Sequence, residues 1–173
     1  MTRKKHTILI AGASGVVGAA AVEHFASLPD WQVLALSRRS TKLPEGVRHV
    51  ALDLTDAAAC VAMAPSLKDV THVMFAALYE LPELVAGWRD PKQMAVNLAM
   101  LRNLLDALQP AAKGLRHITL MQGTKAYGGH VEPAPVPASQ GTFAAPPARQ
   151  LLLAAGRPVA RTPAARRLAP AVR

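Results

Sequence analysis

Three glycines near the amino terminus have the spacing of a turn that binds phosphate. Gly12, Gly15 and Gly18 come at three-residue intervals. A short apolar run beginning at Thr7 precedes them, and an alanine-rich run, 19–25, follows them. A strand, a glycine turn and a helix N-terminus would direct backbone N–H groups at an anion, and the missing side chains would let a pyrophosphate approach closely. Small residues also let a helix and a strand pack closely, so the motif alone leaves both interpretations open.

Two arginines follow the second predicted strand. Trp31–Ser37 is mostly apolar, and Arg38 and Arg39 come directly after it with no acidic residue nearby. In a dinucleotide site this position carries Asp or Glu where a ribose 2′-hydroxyl is bound, and Arg where a 2′-phosphate is bound. A guanidinium offers phosphate two parallel hydrogen bonds as well as its charge. The pair therefore favours NADPH over NADH as cofactor; the alternative is a solvated surface pair at a strand end.

Residues after the later predicted strands would complete the same site. Asp53 can accept a hydrogen bond from an adenine amino group or cap the next helix. Lys125 could hold ribose hydroxyls and stabilise charge on a substrate oxygen, or be an ordinary loop lysine. Asn97 lies within a largely apolar helix, where its amide is expected to bridge to neighbouring backbone. The predicted cofactor-binding residues are Gly12, Ser14, Gly15, Val16, Gly18, Ser37, Arg38, Arg39, Asp53, Leu54, Ala76 and Ala77.

The alternation of apolar runs predicts an α/β fold of the Rossmann type, with a doubly wound parallel sheet. The expected strand order is 3-2-1-4-5, with the ligand at the carboxyl edge, where the order reverses. Thr55 or Asp56 would cap the helix after the third strand, a short helix is predicted over 80–88, and a long one from Pro91 to about Gln109. Residues 1–137 would form this domain, truncated after about the fifth strand. The predicted strands begin near Thr7, Trp31, Val47, Val70 and Leu115.

The positive charge is concentrated in the last part of the chain. The formal net charge is +9, which could suggest nucleic-acid binding. However, no acidic residue follows Glu132, whereas six of the 20 basic residues do. Residues 138–173 are rich in Arg, Pro and Ala and are predicted to be irregular. They would be either a basic appendage that touches nucleic acid or, as we favour, the product of out-of-frame translation. Nucleic-acid binding by the domain itself is not expected.

The remaining composition indicates an intracellular globular domain. The single cysteine, Cys60, excludes an internal disulfide and is predicted to be buried and inert, which fits a reducing compartment. No apolar stretch is long enough to span a bilayer, so no membrane association and a cytoplasmic location are predicted. The histidines show no metal-ligand spacing, and no metal is predicted.

Several segments together resemble the extended short-chain dehydrogenase/reductase superfamily, often labelled NAD-dependent epimerase/dehydratase. The resemblance is greatest to the branch of progesterone 5β-reductase and iridoid synthase. It extends from Thr7 to about Pro137. The segments that carry it are GASGVVG (12–18), SRR (37–39), LDLTD (52–56), THVMFAA (71–77), NLAMLRNLLDAL (97–108) and LMQGTKAYGG (120–129).

The resemblance implies an NADPH-dependent reduction of a carbon–carbon double bond conjugated to a carbonyl. The three glycines would hold the pyrophosphate, Arg38 and Arg39 the 2′-phosphate, and Asp53 and Leu54 the adenine. Lys125 matches the catalytic lysine of the family. The family pairs this lysine with a tyrosine in an NFY-type motif further along, which this sequence does not contain, so the chain is expected to be incomplete as an enzyme.

Three other functions are possible from the sequence. A nucleotide-sugar epimerase or dehydratase is one, although no YxxxK pair is present. Dinucleotide binding without turnover is another, and nucleic-acid binding through the arginine-rich tail is the third. A small-molecule substrate is the expected partner, and an exposed sheet edge would favour a homo-oligomer.

Overall fold

The protein folds as a five-stranded parallel sheet with helices on both faces. The computed structural model describes residues 5–82 and 90–122. The sheet order is β3-β2-β1-β4-β5, and every neighbouring pair is parallel, which confirms the predicted topology. The strands are β1 (His6–Ala11), β2 (Trp31–Ser37), β3 (Arg48–Ala51), β4 (His72–Phe75) and β5 (His117–Leu120). The helices are α1 (Val16–Ala26), α2 (Ala57–Met63), which continues into a 3₁₀ turn (Ala64–Leu67), and α3 (Pro91–Ala111).

Two apolar cores lie on opposite faces of the sheet because successive strand residues point to opposite sides. In β1, Leu9 faces the larger core and Ile10 the smaller one. The larger core contains the buried face of α3, including Leu101 and Leu105, and the smaller core contains Val22 of α1. The central strands are buried on both faces, which explains their nearly continuous apolar runs.

Aspartates cap two of the α-helices in the described part of the chain. The Asp56 side chain accepts a hydrogen bond from Ala59 N at 2.9 Å, so the structure selects Asp56 over Thr55 as the cap of α2. The Asp90 side chain accepts one from Gln93 N at the start of α3. Each bond satisfies a backbone donor that has no partner inside the helix.

Some predictions concern residues outside the described ranges. These are the role of Lys125, the tail at 138–173 and most of the helix expected over 80–88. Within the described ranges, Cys60 is buried as predicted, and burial raises the pKa of its thiol, with the nearby Asp56 carboxylate adding to the effect. No helix in this part of the chain combines the length and apolar character needed to cross a bilayer.

Candidate functional site

A cleft of about 400 Å³ opens at the carboxyl edge of the sheet, bounded by the loops that follow the first four strands. It lies beside the point where the strand order reverses between β1 and β4, as predicted for a ligand site in such a sheet. Most of the predicted cofactor-binding residues line it. They are Gly12, Ser14, Gly15, Val16, Ser37, Arg38, Asp53, Leu54, Ala76 and Ala77.

Two of the three glycines are required by packing within the protein. Gly12 has a positive φ of 85°, and a Cβ atom there would lie 2.6 Å from Ala77 N and 2.7 Å from the carbonyl carbon of Ala76. Gly18 is buried in α1, where a Cβ would overlap the carbonyl oxygen of Gly12 and lie 2.9 Å from Ala13 Cα. Gly18 is therefore beneath the turn and does not itself line the cleft.

Gly15 differs because the fold leaves room for a side chain there. The nearest atom to a Cβ at this position would be the Gly12 carbonyl oxygen, at 3.4 Å. Gly15 is exposed and is the N-cap of α1, with no side-chain hydrogen bond at the cap and no acidic residue in the first turn. Gly15, Val16 and Val17 line the cleft, so the start of α1 and the positive end of its dipole lie there, where an anion could bind.

Backbone hydrogen bonds hold the glycine turn at the end of the sheet. The amides of Gly12 and Ala13 both donate to Leu36 O, at 3.0 and 3.1 Å. On the other side, Ala76 N donates to Ala11 O at 2.9 Å. The turn is therefore tied to both neighbouring strands, and the floor of the cleft is part of the sheet.

The two arginines after β2 have different positions relative to the cleft. The buried Ser37 hydroxyl donates to Arg39 O at 2.7 Å and lies 3.0 Å from His49 Nε2, which holds the backbone after the strand. Arg38 is exposed and lines the cleft, whereas Arg39 is exposed and is not among the lining residues. Of the two arginines, Arg38 is thus the one whose side chain borders the cleft.

Asp53 forms a turn of its own and does not cap α2. Its Oδ1 accepts hydrogen bonds from Thr55 N at 2.9 Å and from Thr55 Oγ1 at 2.8 Å. These two bonds lower the pKa of the Asp53 carboxyl below its usual value, and the charge of Arg38 lowers it further. The carboxylate is therefore ionised at neutral pH beside Leu54, which is buried in the wall of the cleft.

The cleft also contains residues that the sequence did not identify. Tyr79 and Glu80 follow β4, and Met100 reaches the cleft from the buried face of α3. Leu78 is an exposed apolar side chain at the cleft, 61% accessible, as is the predicted Val16, which is 91% accessible. Tyr79 follows a predicted strand, and this location could have indicated that it lies at the site. No local signal distinguishes Met100 from other core residues. Leu36, Leu52, Thr55 and Val17 complete the lining.

Asn97 bridges to backbone, as predicted. Its Oδ1 accepts from Tyr79 N, and its Nδ2 donates to Tyr79 O, both at 2.8 Å. The loop after β4 is therefore attached to α3. Lys125 lies outside the described residues, and its catalytic role stays a prediction.

The parallel sheet, the glycine turn and the cleft at the reversal point define a Rossmann-type domain. A family model described as "NAD dependent epimerase/dehydratase family" matches residues 8–149. The chain belongs to this family, as the sequence motifs indicated.

Individual relatives agree with this assignment. The chain is 27% identical over 136 residues to a Catharanthus roseus protein named (S)-8-oxocitronellyl enol synthase, covering 74% of this chain and 32% of that protein. It is 31% identical over 129 residues to a 3-oxo-Delta(4,5)-steroid 5-beta-reductase of Arabidopsis thaliana, covering 70% and 31%. These two matches confirm the resemblance to the progesterone 5β-reductase and iridoid synthase branch.

A solved structure extends the comparison. The Bordetella bronchiseptica enzyme WbmG, determined in complex with NAD, superposes with a TM-score of 0.67 at 25% identity, covering 91% of this chain and 50% of WbmG.

The chain matches only part of its relatives. It covers about a third of the length of the enol synthase and of the steroid 5-beta-reductase named above.

Proposed function

We propose that the cleft binds NADPH and that the chain carries the cofactor-binding part of an oxidoreductase that reduces an enone or a related carbonyl compound. The observation that carries the choice of cofactor is Arg38, which lines the cleft after β2. An NAD site has a carboxylate at this position, which would repel a 2′-phosphate, whereas a guanidinium attracts it. WbmG was solved with NAD, so the arginine is the feature that favours NADPH in this chain.

The residues of the cleft fit a dinucleotide along its length. The uncapped start of α1 and the open side of Gly15 would receive the pyrophosphate. Arg38 would meet the 2′-phosphate, and Asp53 and Leu54 would lie at the adenine. The small side chains of Ala76 and Ala77, next to Gly12, would leave room for the nicotinamide half.

Substrate reduction would take place at the far end of the same cleft. Bound NADPH supplies a hydride to an electron-poor carbon, and Lys125 would stabilise the negative charge that develops on the substrate oxygen. The relatives support this substrate class because their names specify an oxo-steroid and an 8-oxocitronellyl enol. The apolar side chains of Val16, Leu78 and Met100 suit a small hydrophobic substrate.

Titration with NADPH and NADH tests the choice of cofactor. The wild-type protein is expected to bind NADPH more tightly, and Arg38→Ala to weaken NADPH binding by about tenfold or more, since a charge-assisted hydrogen bond contributes roughly 1.5–3 kcal/mol. NADH binding should change by less than about threefold, because NADH has no 2′-phosphate for the guanidinium to bind.

Two further variants serve as controls. Arg102→Ala removes the same charge from an exposed position of α3 that does not line the cleft, and it should leave both affinities unchanged. Arg39→Ala measures how far the second arginine shares the phosphate. Equal binding of NADPH and NADH by the wild-type protein would contradict the proposed cofactor preference.

Oxidation of NADPH in the presence of a panel of enones tests the proposed reaction. Turnover that Lys125→Met abolishes, with NADPH affinity retained, would support the role of the lysine. NADPH binding with little or no turnover is the expected result, because this sequence does not contain the tyrosine motif that the family pairs with the lysine, and it would favour dinucleotide binding alone.

A further inference from the structure

Helix α3 is attached to two separate loops of the cleft through two asparagine side chains. Asn97 hydrogen-bonds the loop after β4, and Asn103 Nδ2 donates to Leu54 O, in the loop after β3, at 2.9 Å. Both asparagines are half-buried. They are six residues apart, which corresponds to about 9 Å along the helix axis. One helix is therefore bonded to both loops, each through a different side chain.

The loop after β4 is held by hydrogen bonds from side chains of α3 to its backbone. One amide, that of Asn97, satisfies both the N–H and the C=O of Tyr79, as a neighbouring strand would. One turn earlier on the helix, the buried Gln93 side chain accepts a hydrogen bond from Leu81 N at 2.7 Å. The backbone carbonyl oxygen of Gln93 also accepts a hydrogen bond from Asn97 Nδ2 at 2.9 Å, which fixes the orientation of the Asn97 side-chain amide. The loop beyond β4 is thus held at two points although it is outside the sheet.

The attachment of the β3 loop is a single bond to a buried residue. Leu54 is 3% exposed and lines the cleft. A carbonyl at such a position requires a hydrogen-bond partner, and Asn103 provides it. The next side chain before it, Asp53, is bonded to Thr55 within the same loop. Asn103 therefore ties this short loop directly to α3.

We propose that Asn97 and Asn103 are positioning residues that set the two ends of the cleft independently. This inference rests on the proposed binding of NADPH. Leu54 lies on the β2–β3 side of the glycine turn, with Arg38 and Asp53, and Tyr79 lies on the β4 side. A dinucleotide whose pyrophosphate is at the turn places its adenosine half towards the first side and its nicotinamide half towards the second. Asn103 thus positions the wall for adenosine, and Asn97 the wall for nicotinamide.

A matched pair of isosteric variants separates the two roles. In Asn97→Asp the carboxylate can still accept from Tyr79 N but can no longer donate to Tyr79 O or to Gln93 O. In Asn103→Asp the hydrogen bond that Asn103 Nδ2 donates to Leu54 O is lost in the same way. Binding of NADPH and of 2′,5′-ADP, which contains the adenosine half and the 2′-phosphate but no nicotinamide, is measured for both variants together with unfolding in urea.

The expected results differ between the two ligands. Asn97→Asp should weaken NADPH binding by about tenfold and leave 2′,5′-ADP binding within about twofold, whereas Asn103→Asp should weaken both by a similar factor of about five to ten. A general loss of stability would weaken NADPH and 2′,5′-ADP binding alike in each variant. It would therefore not produce a change in the ratio of these two affinities that is confined to Asn97→Asp. Equal losses for both ligands in Asn97→Asp, or no loss for either, would overturn the proposal.

A measurement on the wild-type protein covers the case in which a variant does not fold. Amide hydrogen exchange should show added protection of Tyr79 and Leu81 when NADPH binds but not when 2′,5′-ADP binds, while Thr55 gains protection with either ligand. Protection of Tyr79 by 2′,5′-ADP equal to that by NADPH would overturn the proposal even with no variant in hand. Failure of the wild-type protein to bind either ligand would instead overturn the proposed function on which the assignment rests.

Discussion

The two ends of the sheet are built from opposite kinds of side chain. At the carboxyl edge, the strands run into Gly12, Ala76 and Ala77, and the space above them is open. At the amino edge, aromatic rings fill the corresponding space. Trp31 lies 4.8 Å from both His6 and His72 between ring centroids, and His117 lies 6.3 Å from His72. The same strands thus border an open cleft where they end in small residues and a layer of packed rings where they begin.

The amino edge has a defined hydrogen-bond network around these rings. Thr71 Oγ1 accepts from Thr7 N at 2.9 Å and donates to Thr7 O at 3.1 Å. Because this hydroxyl donates its proton to Thr7, the contact of 2.8 Å with His72 Nδ1 requires the histidine nitrogen to be the donor. Across residues 5–82 and 90–122, no group of three His, Cys, Asp or Glu side chains is arranged to hold a metal ion. The ring contacts of His6, His72 and His117 show that these side chains pack at this edge.

The largest effect on stability is expected for Gly18→Ala, which tests whether the fold requires a small residue at the carboxyl edge. Gly18→Ala should lower the free energy of unfolding by about 3 kcal/mol or more, because its Cβ overlaps the carbonyl of Gly12. Helix propensity alone would change stability by about 1 kcal/mol in the opposite direction. Urea unfolding measures the difference.

The control for this prediction is Gly114→Ala. A Cβ at Gly114 would meet only Thr71 Cγ2, at 3.9 Å, so its stability should stay within about 0.5 kcal/mol of the wild type. Similar losses in both variants would show that overlap at Gly18 is not the cause.

The second prediction concerns the amino edge. Trp31 is half-buried between Phe25, His6 and His72. Trp31→Ala should lower the free energy of unfolding by about 2 kcal/mol, less than a fully buried Trp would. Affinity for 2′,5′-ADP should not change under conditions where the variant is folded, and Trp31→Phe should keep most of the stability. A large loss of affinity in folded Trp31→Ala would show that the two edges are coupled.

The third prediction sharpens the distinction between the glycines of the turn. Gly15 has φ −82° and ψ 165°, which an alanine can adopt, and the fold leaves room for its Cβ. Gly15→Ala should therefore leave stability within about 0.5 kcal/mol but weaken NADPH binding by about tenfold, since the methyl group would occupy the approach of the pyrophosphate. If Gly15→Ala bound NADPH as tightly as the wild type, the pyrophosphate would not bind next to this residue.

The smallest expected effect is a pH dependence of stability at the amino edge. Burial lowers the pKa of His72 below its ordinary value of 6.5, and the neighbouring His6, His117 and Arg116 lower it further. The unfolded chain therefore binds more protons than the folded one just below pH 6.5, so His72 contributes stability above that pH and loses it as pH falls through the folded-state value.

Urea unfolding at several pH values measures this contribution. His72→Asn, whose side-chain amide can still donate to Thr71, should reduce the loss of stability between neutral and mildly acidic pH. His24→Asn is the control, because His24 is exposed on α1 and its replacement leaves the three-histidine cluster intact. An unchanged pH profile in His72→Asn would assign the acid sensitivity to other groups.

Much of the fold was predictable because its signals are local. The strand order follows from the alternation of apolar runs with helices, and β2 has the predicted bounds. The predicted runs at Val47, Val70 and Leu115 begin one or two residues before the observed strands. The apolar run starts before the first paired residue, so a pattern of apolar residues cannot show where strand pairing begins.

The sequence by itself determined the topology, the family and the edge of the sheet at which a cofactor would bind. The glycine spacing, the strand pattern and the arginines after β2 are local signals, because each can be recognised within a short segment of the sequence. Only the tertiary structure decided that Arg38 lines the cleft and Arg39 does not, and that Gly15 is free where Gly12 and Gly18 are packed. It alone also joined Asn103 to Leu54, 49 residues away. Such contacts depend on how far apart packed elements lie, which no local pattern specifies.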